Sequence, residues 1–370
     1  MKNESNQILD KGRRRFIGTA IVAIPGAAFV SAELLASGET SAQTRTAGPV
    51  KEPAVIGYPN KKGVTIERVS YKARNLGADI VANVFKPPGF DESKTYPAIV
   101  VTHPFGGVKE QTSGLYAQRL AEEGFVSLAY DASYQGESQG TPRLIEVPAQ
   151  RLDDISCAID YLVQQPQVDP NRIGSLGICA GGSYAICNAT TELRVKAVAS
   201  VSMFNLGDAR RRAMGLLSYE ERMKRLKDAG EQRNKEARGE PIRLVKISPD
   251  SPAEFTDKTP ILYREGYDYY MTARGKHPNS PNRYMFSSLP LQMAFFPFDQ
   301  VDTISPRPIL MVVGGKADTK FWSDEVYSKA REPKELFIVD GASHIDMYDK
   351  PQFVAPAVEK LKEFFEKNLK

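Results

Sequence analysis

The sequence predicts an α/β fold with a mostly parallel central sheet flanked by helices. Continuous β-branched and apolar runs such as YPAIVVTH (96–103) and PILMVVG (308–314) are typical of parallel strands that are covered on both faces. Segments with helical spacing of apolar residues lie between such runs, the clearest being 149–164. Strands and helices therefore alternate along the chain, which is the pattern of an α/β domain.

The first part of this pattern extends to residue 202. The predicted strands cover 64–71, 78–86, 96–103, 125–130, 172–177 and 195–201. The predicted helices cover 113–123, 149–164 and 181–189. The turn sequence PPG at 87–89 ends the second strand.

The alternation is interrupted between residues 203 and 305. This stretch contains a charged helical segment over 219–238, followed by aromatic sequence rich in Pro and Asn, and it has no internal repeat. The pattern resumes with strands at 308–314 and 335–339 and helices at 323–330 and 354–367. We expect a core domain in two parts, 63–202 and 306–370, with an inserted cap over 203–305.

The first 42 residues have the features of a twin-arginine export signal. The sequence KGRRRF (11–16) precedes an apolar stretch over 16–30, and small residues follow at 40–42. The apolar stretch is shorter than the roughly 20 residues that cross a bilayer. We expect a cleaved signal (1–42), a linker (43–62) and a periplasmic or secreted mature protein with no stable membrane span. An uncleaved anchor or a basic tail is the alternative.

Charge and cysteine content argue against a nucleic-acid-binding protein and against a disulfide-rich one. The chain has 49 Lys and Arg against 45 Asp and Glu, and no basic block lies outside the N-terminus, so we expect no nucleic-acid partner. Of the three cysteines, Cys179 and Cys187 would be about 12 Å apart along one helix, which is too far for a disulfide. Cys157 belongs to another predicted helix. We therefore predict no disulfide framework.

The sequence GICAGG (177–182) joins a predicted strand to a predicted helix. Gly177 and Gly181 flank Cys179 in the pattern of a nucleophile elbow, in which glycines are needed because side chains would collide with neighbouring backbone. The start of the following helix also favours a thiolate. A cysteine that merely fills a gap would not require glycine two residues away on both sides. We predict that Cys179 is the nucleophile, with Ser183 as the replacement if it is not.

The remaining catalytic groups are predicted from their positions after strands. His344 lies in the loop after the last predicted strand, where the base of such an elbow belongs, and Asp318 follows the preceding strand, where the acid belongs. Asp318 would orient the ring of His344, with Asp346 or Asp299 as the alternative acids.

Two backbone N–H groups are predicted to stabilise an oxyanion, those of Ala180 and Phe105. The first follows the nucleophile, and the second lies in the loop HPFGG (103–107), where proline has no N–H to donate. His103 begins this loop, either as a residue that orders it or as part of the site.

The cap contributes candidate substrate-binding residues. Tyr269, Tyr270, Arg274 and His277 form a local group of aromatic and cationic side chains that would suit an acidic or aromatic substrate. The alternative is that the tyrosines pack the cap onto the core and that Arg274 pairs with a surface carboxylate.

These motifs resemble the α/β-hydrolase superfamily, and within it the dienelactone hydrolase-like branch in which cysteine replaces serine. The stretches 103–111, 131–138 and 177–184 are similar to a bacterial subgroup whose fungal relatives act as polyketide thiohydrolases or transferases. The resemblance implies a triad of Cys179, Asp318 and His344. The long cap and the export signal depart from dienelactone hydrolases proper, so the resemblance implies a reaction class rather than a substrate.

The resulting expectation is a hydrolase that cleaves an ester, thioester or lactone through an acyl-cysteine intermediate. The partner would be a small acyl substrate, and no metal or organic cofactor is required. Acyl transfer by the same mechanism, peptide cleavage and a non-catalytic binding protein of the same fold are the alternatives.

Overall fold

The computed structural model describes residues 45–46 and 48–370. The predicted export signal lies outside these residues, so both the signal and the localisation drawn from it stay predictions. Within the described part of the chain, no helix has the length and apolar character needed to cross a membrane.

The strands form one large sheet and one small one. In chain order they are β1 (Arg45–Thr46), β2 (Thr65–Lys72), β3 (Asp79–Lys86), β4 (Tyr96–Thr102), β5 (Val126–Tyr130), β6 (Val168–Ile178), β7 (Val195–Val201), β8 (Leu244–Lys246), β9 (Arg283–Met285), β10 (Ile309–Gly314) and β11 (Lys334–Val339). The large sheet has the order β1-β2-β3-β5-β4-β6-β7-β10-β11, and β8 pairs with β9. From β5 to β11 the neighbours are parallel, whereas β1, β2, β3 and β5 pair antiparallel. The mostly parallel sheet confirms the α/β prediction.

Helices cover this sheet and build the cap. They are α1 (Thr112–Glu122), α2 (Pro148–Leu162), α3 (Ala180–Ala189), α4 (Leu206–Arg212), α5 (Tyr219–Ala237), α6 (Ile261–Met271), α7 (Leu289–Met293), α8 (Lys320–Lys329), α9 (Asp346–Asp349) and α10 (Pro351–Asn368). Helix α1 packs beside α10 and α2 beside α3, and each pair contacts the sheet. The strands between them are buried and apolar because both faces are covered.

The segment 203–305 packs onto the core instead of forming a compact unit of its own. It contains α4 to α7 and the β8–β9 pair. Leu262 and Tyr269 of α6 join the main hydrophobic core, while Ala229, Phe286 and Leu289 belong to a smaller cluster inside the segment. The sequence predicted only α5 here, because the short aromatic stretch that forms α6 has no strong helical signal.

The position of Cys179 follows from a sharp turn between β6 and α3. Its backbone has φ 57° and ψ −124°, a conformation with positive φ that is unusual for a residue with a side chain. A Cβ on Gly177 would lie 2.0 Å from the carbonyl oxygen of Gly181, and a Cβ on Gly181 would lie 2.3 Å from that of Thr102. Both flanking positions therefore require glycine, as the elbow motif predicts.

Candidate active site

Cys179 is raised above the carboxyl end of the sheet and faces a pocket. Its side chain is largely buried, and burial raises the pKa of its thiol to about 11. The Tyr348 hydroxyl and the backbone N–H groups of Ala180 and Phe105 interact with the sulfur and shift the pKa in the opposite direction, by smaller amounts. Because burial dominates, the resting group is a neutral thiol.

The two predicted oxyanion donors meet at this sulfur from different elements. Ala180 is the first residue of α3, and Phe105 lies in the loop after β4. The loop is held by a hydrogen bond from the Gly107 N–H to the Pro104 carbonyl (3.0 Å) and by one from the Ser280 hydroxyl to the Gly106 carbonyl (2.6 Å). A carbonyl carbon bonded to the sulfur would place its oxygen near these donors.

His344 is fully buried in the loop between β11 and α9. Its Nδ1 lies 2.6 Å from the Thr319 hydroxyl, and its Nε2 lies 3.4 Å from the Tyr348 hydroxyl. Burial lowers the pKa of His344 to about 3, so the imidazole is neutral.

Asp318 does not orient His344 in this structure, contrary to the sequence prediction. Its carboxylate accepts a hydrogen bond of 3.1 Å from the Leu262 N–H at the start of α6, and burial raises its pKa. The hydroxyl of the adjacent residue, Thr319, forms the hydrogen bond with Nδ1 of His344 instead. The side chains of Asp318 and Thr319 point in different directions because they are neighbours in a turn. The residue that reaches His344 is therefore one position later than predicted, and it offers a hydroxyl in place of a carboxylate.

The alternative acids do not take this role either. Asp346 accepts from the Ser343 N–H (3.0 Å) and pairs with Lys350, whereas Asp299 is exposed. Among the residues that the structure describes, no carboxylate forms a hydrogen bond or ion pair with His344. An imidazolium at His344 would therefore have no adjacent countercharge.

A small pocket of about 60 Å³ opens beside the thiol. Its lining is mainly apolar and aromatic, and consists of Phe105, Cys179, Phe204, Arg210, Ile247, Ser248, Leu262, Tyr263, Gly266, Tyr270, Ile345 and Tyr348. Cap residues from α4, the β8 region and α6 thus line the pocket together with residues of the core. This composition is typical of a small-molecule site.

Arg210 carries the only formal charge among these lining residues. Its guanidinium lies 4.9 Å from the ring centre of Phe105 and 4.6 Å from that of Tyr284, and its Nε donates to the Gln292 side chain (2.8 Å). Within residues 48–370, no carboxylate pairs with it. Sequence reasoning missed Arg210 because it lies in an arginine-rich helix end, RRR (210–212), that gives no sign of which arginine turns inward.

Of the five residues that the sequence offers for substrate binding, the structure brings only Tyr270 to the pocket, and Tyr269 packs in the main hydrophobic core. His103 is fully buried: its Nδ1 lies 2.7 Å from the Pro104 carbonyl oxygen and its Nε2 accepts from the Ala132 N–H, so it orders the loop. Arg274 pairs with Asp349 and Asp268.

His277 also lies away from the pocket. Its Nε2 is 4.0 Å from the Glu110 carboxylate, which belongs to an ion cluster around Lys109. The alternative nucleophile, Ser183, is fully buried in α3 and donates to the Ala180 carbonyl at 2.9 Å. Neither residue is available to a substrate in the pocket.

Comparison with known proteins places this site in a family. The model of the dienelactone hydrolase family matches residues 82–204, which include the elbow. The chain is 38% identical to the uncharacterized protein YcjY of Escherichia coli, over 82% of this chain and 99% of that protein. It is 28% identical to the thiohydrolase aneE of Aspergillus aculeatus, over 60% of this chain and 70% of that protein.

A solved structure agrees with these matches over the whole fold. The hypothetical protein PA2218 from Pseudomonas aeruginosa superposes with a TM-score of 0.80 and 34% identity, covering 86% of this chain and 98% of that one. The chain therefore belongs to the dienelactone hydrolase family of α/β-hydrolases.

Proposed function

We propose that the protein is a cysteine hydrolase that cleaves an activated acyl group, an ester, thioester or lactone, through an acyl-cysteine intermediate. The observation that supports this most directly is the convergence at Cys179. One thiol stands on a strained elbow, opens to an apolar pocket and interacts with two backbone N–H groups from separate elements. A buried cysteine with only a packing role needs none of these features.

The reaction begins with the neutral thiol and the neutral imidazole. His344 accepts the Cys179 proton at Nε2 as the sulfur attacks the substrate carbonyl. The Ala180 and Phe105 N–H groups stabilise the tetrahedral oxyanion, which collapses to expel the leaving group. Imidazolium protonates that group, and water, activated by the neutral imidazole, then hydrolyses the thioester.

Thr319 has the role of the third catalytic member in this proposal. An Nδ1–H that donates to its hydroxyl at 2.6 Å leaves Nε2 as the proton acceptor. A hydroxyl orients the ring as a carboxylate does, but it provides no countercharge for the imidazolium. A cationic intermediate is thus disfavoured, which suits substrates with good leaving groups.

Acyl transfer by the same intermediate is the second candidate. The pocket beside Cys179 is lined mainly by apolar and aromatic side chains, so an alcohol or thiol with an apolar chain can compete with water for the acyl group. Both candidates share every step up to the acyl-cysteine.

Arg210 supports a substrate with a second, anionic group. A buried cation that stacks on aromatic rings and lacks a carboxylate partner retains unused donors, and Arg is suited to bidentate recognition of carboxylates. We propose that the acyl chain ends in a carboxylate that binds Arg210.

The first prediction concerns the nucleophile and the base. With a chromogenic acetate ester, wild-type protein is expected to give a burst of product as Cys179 is acylated. Cys179→Ala should abolish the burst, and His344→Ala should slow it by about 10²-fold or more, because proton transfer contributes about 10²–10⁴-fold.

Stopped-flow absorbance measures the burst, and mass spectrometry measures the acyl adduct. Cys187→Ala, a cysteine variant outside the pocket, is the matched control and should keep the burst. Full activity in Cys179→Ala would contradict the proposed function. Product analysis with an added alcohol or thiol separates hydrolysis, which yields free acid, from transfer.

The second prediction tests which residue orients His344. Thr319→Val removes the hydroxyl that meets Nδ1 and should lower kcat about five- to tenfold, as expected for one hydrogen bond of about 1 kcal/mol. Asp318→Asn keeps an acceptor for the Leu262 N–H and should remain close to wild type. Steady-state kinetics on one ester measures both, and the reverse ranking would restore Asp318 as the third member.

The third prediction follows from the raised pKa of Cys179. A thiol with a pKa of about 11 is protonated below that pH, so at pH 7 only roughly 10⁻⁴ of it is thiolate. Alkylation of Cys179 by iodoacetamide should accelerate with rising pH up to about pH 11. Peptide mapping separates this site from Cys157 and Cys187, and a rate that is already constant between pH 5 and 7 would show a thiolate–imidazolium pair instead.

The fourth prediction concerns specificity. We expect a higher kcat/KM for the mono-ester of a five-carbon dicarboxylic acid than for the butyrate ester of the same chromogenic alcohol. Arg210→Gln should lower the ratio of these two constants by about tenfold or more, since hydrogen bonds to charged groups contribute about 1.5–3 kcal/mol. Arg210→Lys, which keeps the charge, should preserve part of the ratio. An unchanged ratio in Arg210→Gln would remove Arg210 from substrate recognition.

A further inference from the structure

A tyrosine hydroxyl lies between the two groups that must exchange a proton. Tyr348 belongs to the short helix α9, and its hydroxyl is 3.4 Å from Nε2 of His344. The same tyrosine lines the pocket together with Cys179, and its hydroxyl lowers the pKa of the Cys179 thiol against the effect of burial. In the part of the chain that the structure describes, no direct hydrogen bond joins Cys179 and His344.

The three groups differ in their access to the pocket, although Tyr348 and His344 are both fully buried. Cys179 and Tyr348 both line the pocket, whereas His344 is fully buried and is not among the lining residues. Tyr348 therefore both lines the pocket and contacts the imidazole. This arrangement differs from one in which the base touches the nucleophile directly.

We infer that the Tyr348 hydroxyl carries the proton between Cys179 and His344, which makes it a further catalytic residue. The inference rests on the proposed function, since it describes how the base of that mechanism reaches the thiol. It adds one side chain and one proton transfer to the acylation step.

The step balances as follows. The S–H bond of Cys179 breaks and its proton bonds to the Tyr348 oxygen, while the original O–H proton of Tyr348 bonds to Nε2 of His344. The sulfur electron pair forms the bond to the substrate carbon, and the carbonyl π electrons move to oxygen. Tyr348 ends the step neutral, and the positive charge lies on His344.

The environment of Tyr348 favours a concerted transfer. Burial raises the pKa of its phenol well above the usual value, and the nearby Cys179 and Tyr270 add to this effect. A free tyrosinate is therefore disfavoured. The hydroxyl must gain one proton as it loses the other, which requires a fixed position between both partners.

Packing provides that position. The Tyr348 ring meets the Tyr269 ring edge-to-face at 5.1 Å, and its backbone carbonyl accepts from the Thr112 hydroxyl at 3.0 Å. His344 and Tyr348 are four residues apart, and their rings lie 5.7 Å from each other. The base and the proposed carrier are therefore held by one continuous segment.

Tyr348→Phe tests the inference because it keeps the ring and removes only the hydroxyl. We expect the acylation rate for a chromogenic acetate ester to fall by about 10²-fold, within the range of general acid–base catalysis, with KM changed less than about threefold. A matched control is Tyr71→Phe, which also loses a buried tyrosine hydroxyl, in β2 and outside the pocket lining. It should acylate like wild type.

A proton inventory of the burst phase separates a carrier from a packing residue. In mixtures of H₂O and D₂O, two protons in flight give a curved dependence of rate on deuterium fraction for wild type. The slower Tyr348→Phe reaction should give a straight line, as expected for one proton. Thermal unfolding of each variant verifies that the fold is retained.

Two outcomes would overturn the inference. One is a wild-type acylation rate in Tyr348→Phe, and the other is a slower rate with an unchanged proton inventory, which would assign Tyr348 to packing. In both cases, loss of the burst in Cys179→Ala leaves the proposed function standing. Retention of the burst in Cys179→Ala would remove the proposed function itself.

Discussion

The backbone contact at the β6–α3 turn is the constraint on which the site depends. Cys179 takes a positive φ, and the turn is so tight that Gly177 and Gly181 each face a carbonyl at a distance no Cβ could occupy. One of these carbonyls belongs to Thr102, at the end of β4, so the same contact sets the spacing between the elbow and the loop that carries Phe105. Cys179 and the N–H groups of Ala180 and Phe105 are thereby positioned together.

A buried ion cluster reinforces the Phe105 loop from its other end. The Lys109 ammonium is almost fully buried and pairs with Glu110 and Asp131 at 2.6 and 2.9 Å, while the Lys109 N–H donates to Asp131 at 2.8 Å. Burial raises the pKa of Glu110 to about 7, and the adjacent Lys109 counteracts this. Since removing one partner of a buried pair leaves an unpaired charge, the cluster resists rearrangement. The loop can then present its N–H without support from the substrate.

The electrostatics of the site are those of neutral groups in an apolar environment. Burial opposes the thiolate of Cys179 and the imidazolium of His344, and no carboxylate among the described residues pairs with the ring to compensate. In the proposed reaction, charge develops only during attack, when the backbone N–H groups can stabilise it. Because the pocket lining is apolar, its single cation, Arg210, attracts any anionic part of a substrate more strongly than it would in water.

Much of this protein can be read from local patterns. The alternation of strands and helices predicts the parallel sheet, and the glycines around Cys179 predict the elbow, because both patterns reflect contacts between residues that are close in sequence. Three features of the site do not follow from such local patterns. They are the hydrogen bond of Thr319 to His344, the inward direction of Arg210 and the contact of Tyr348 with His344 beside the pocket. They depend on side-chain directions in turns and on the packing of the cap against the core, and residues distant in the chain set those directions. Arg274 and His277 illustrate the same point, since the folded chain provides them with carboxylate neighbours outside the pocket.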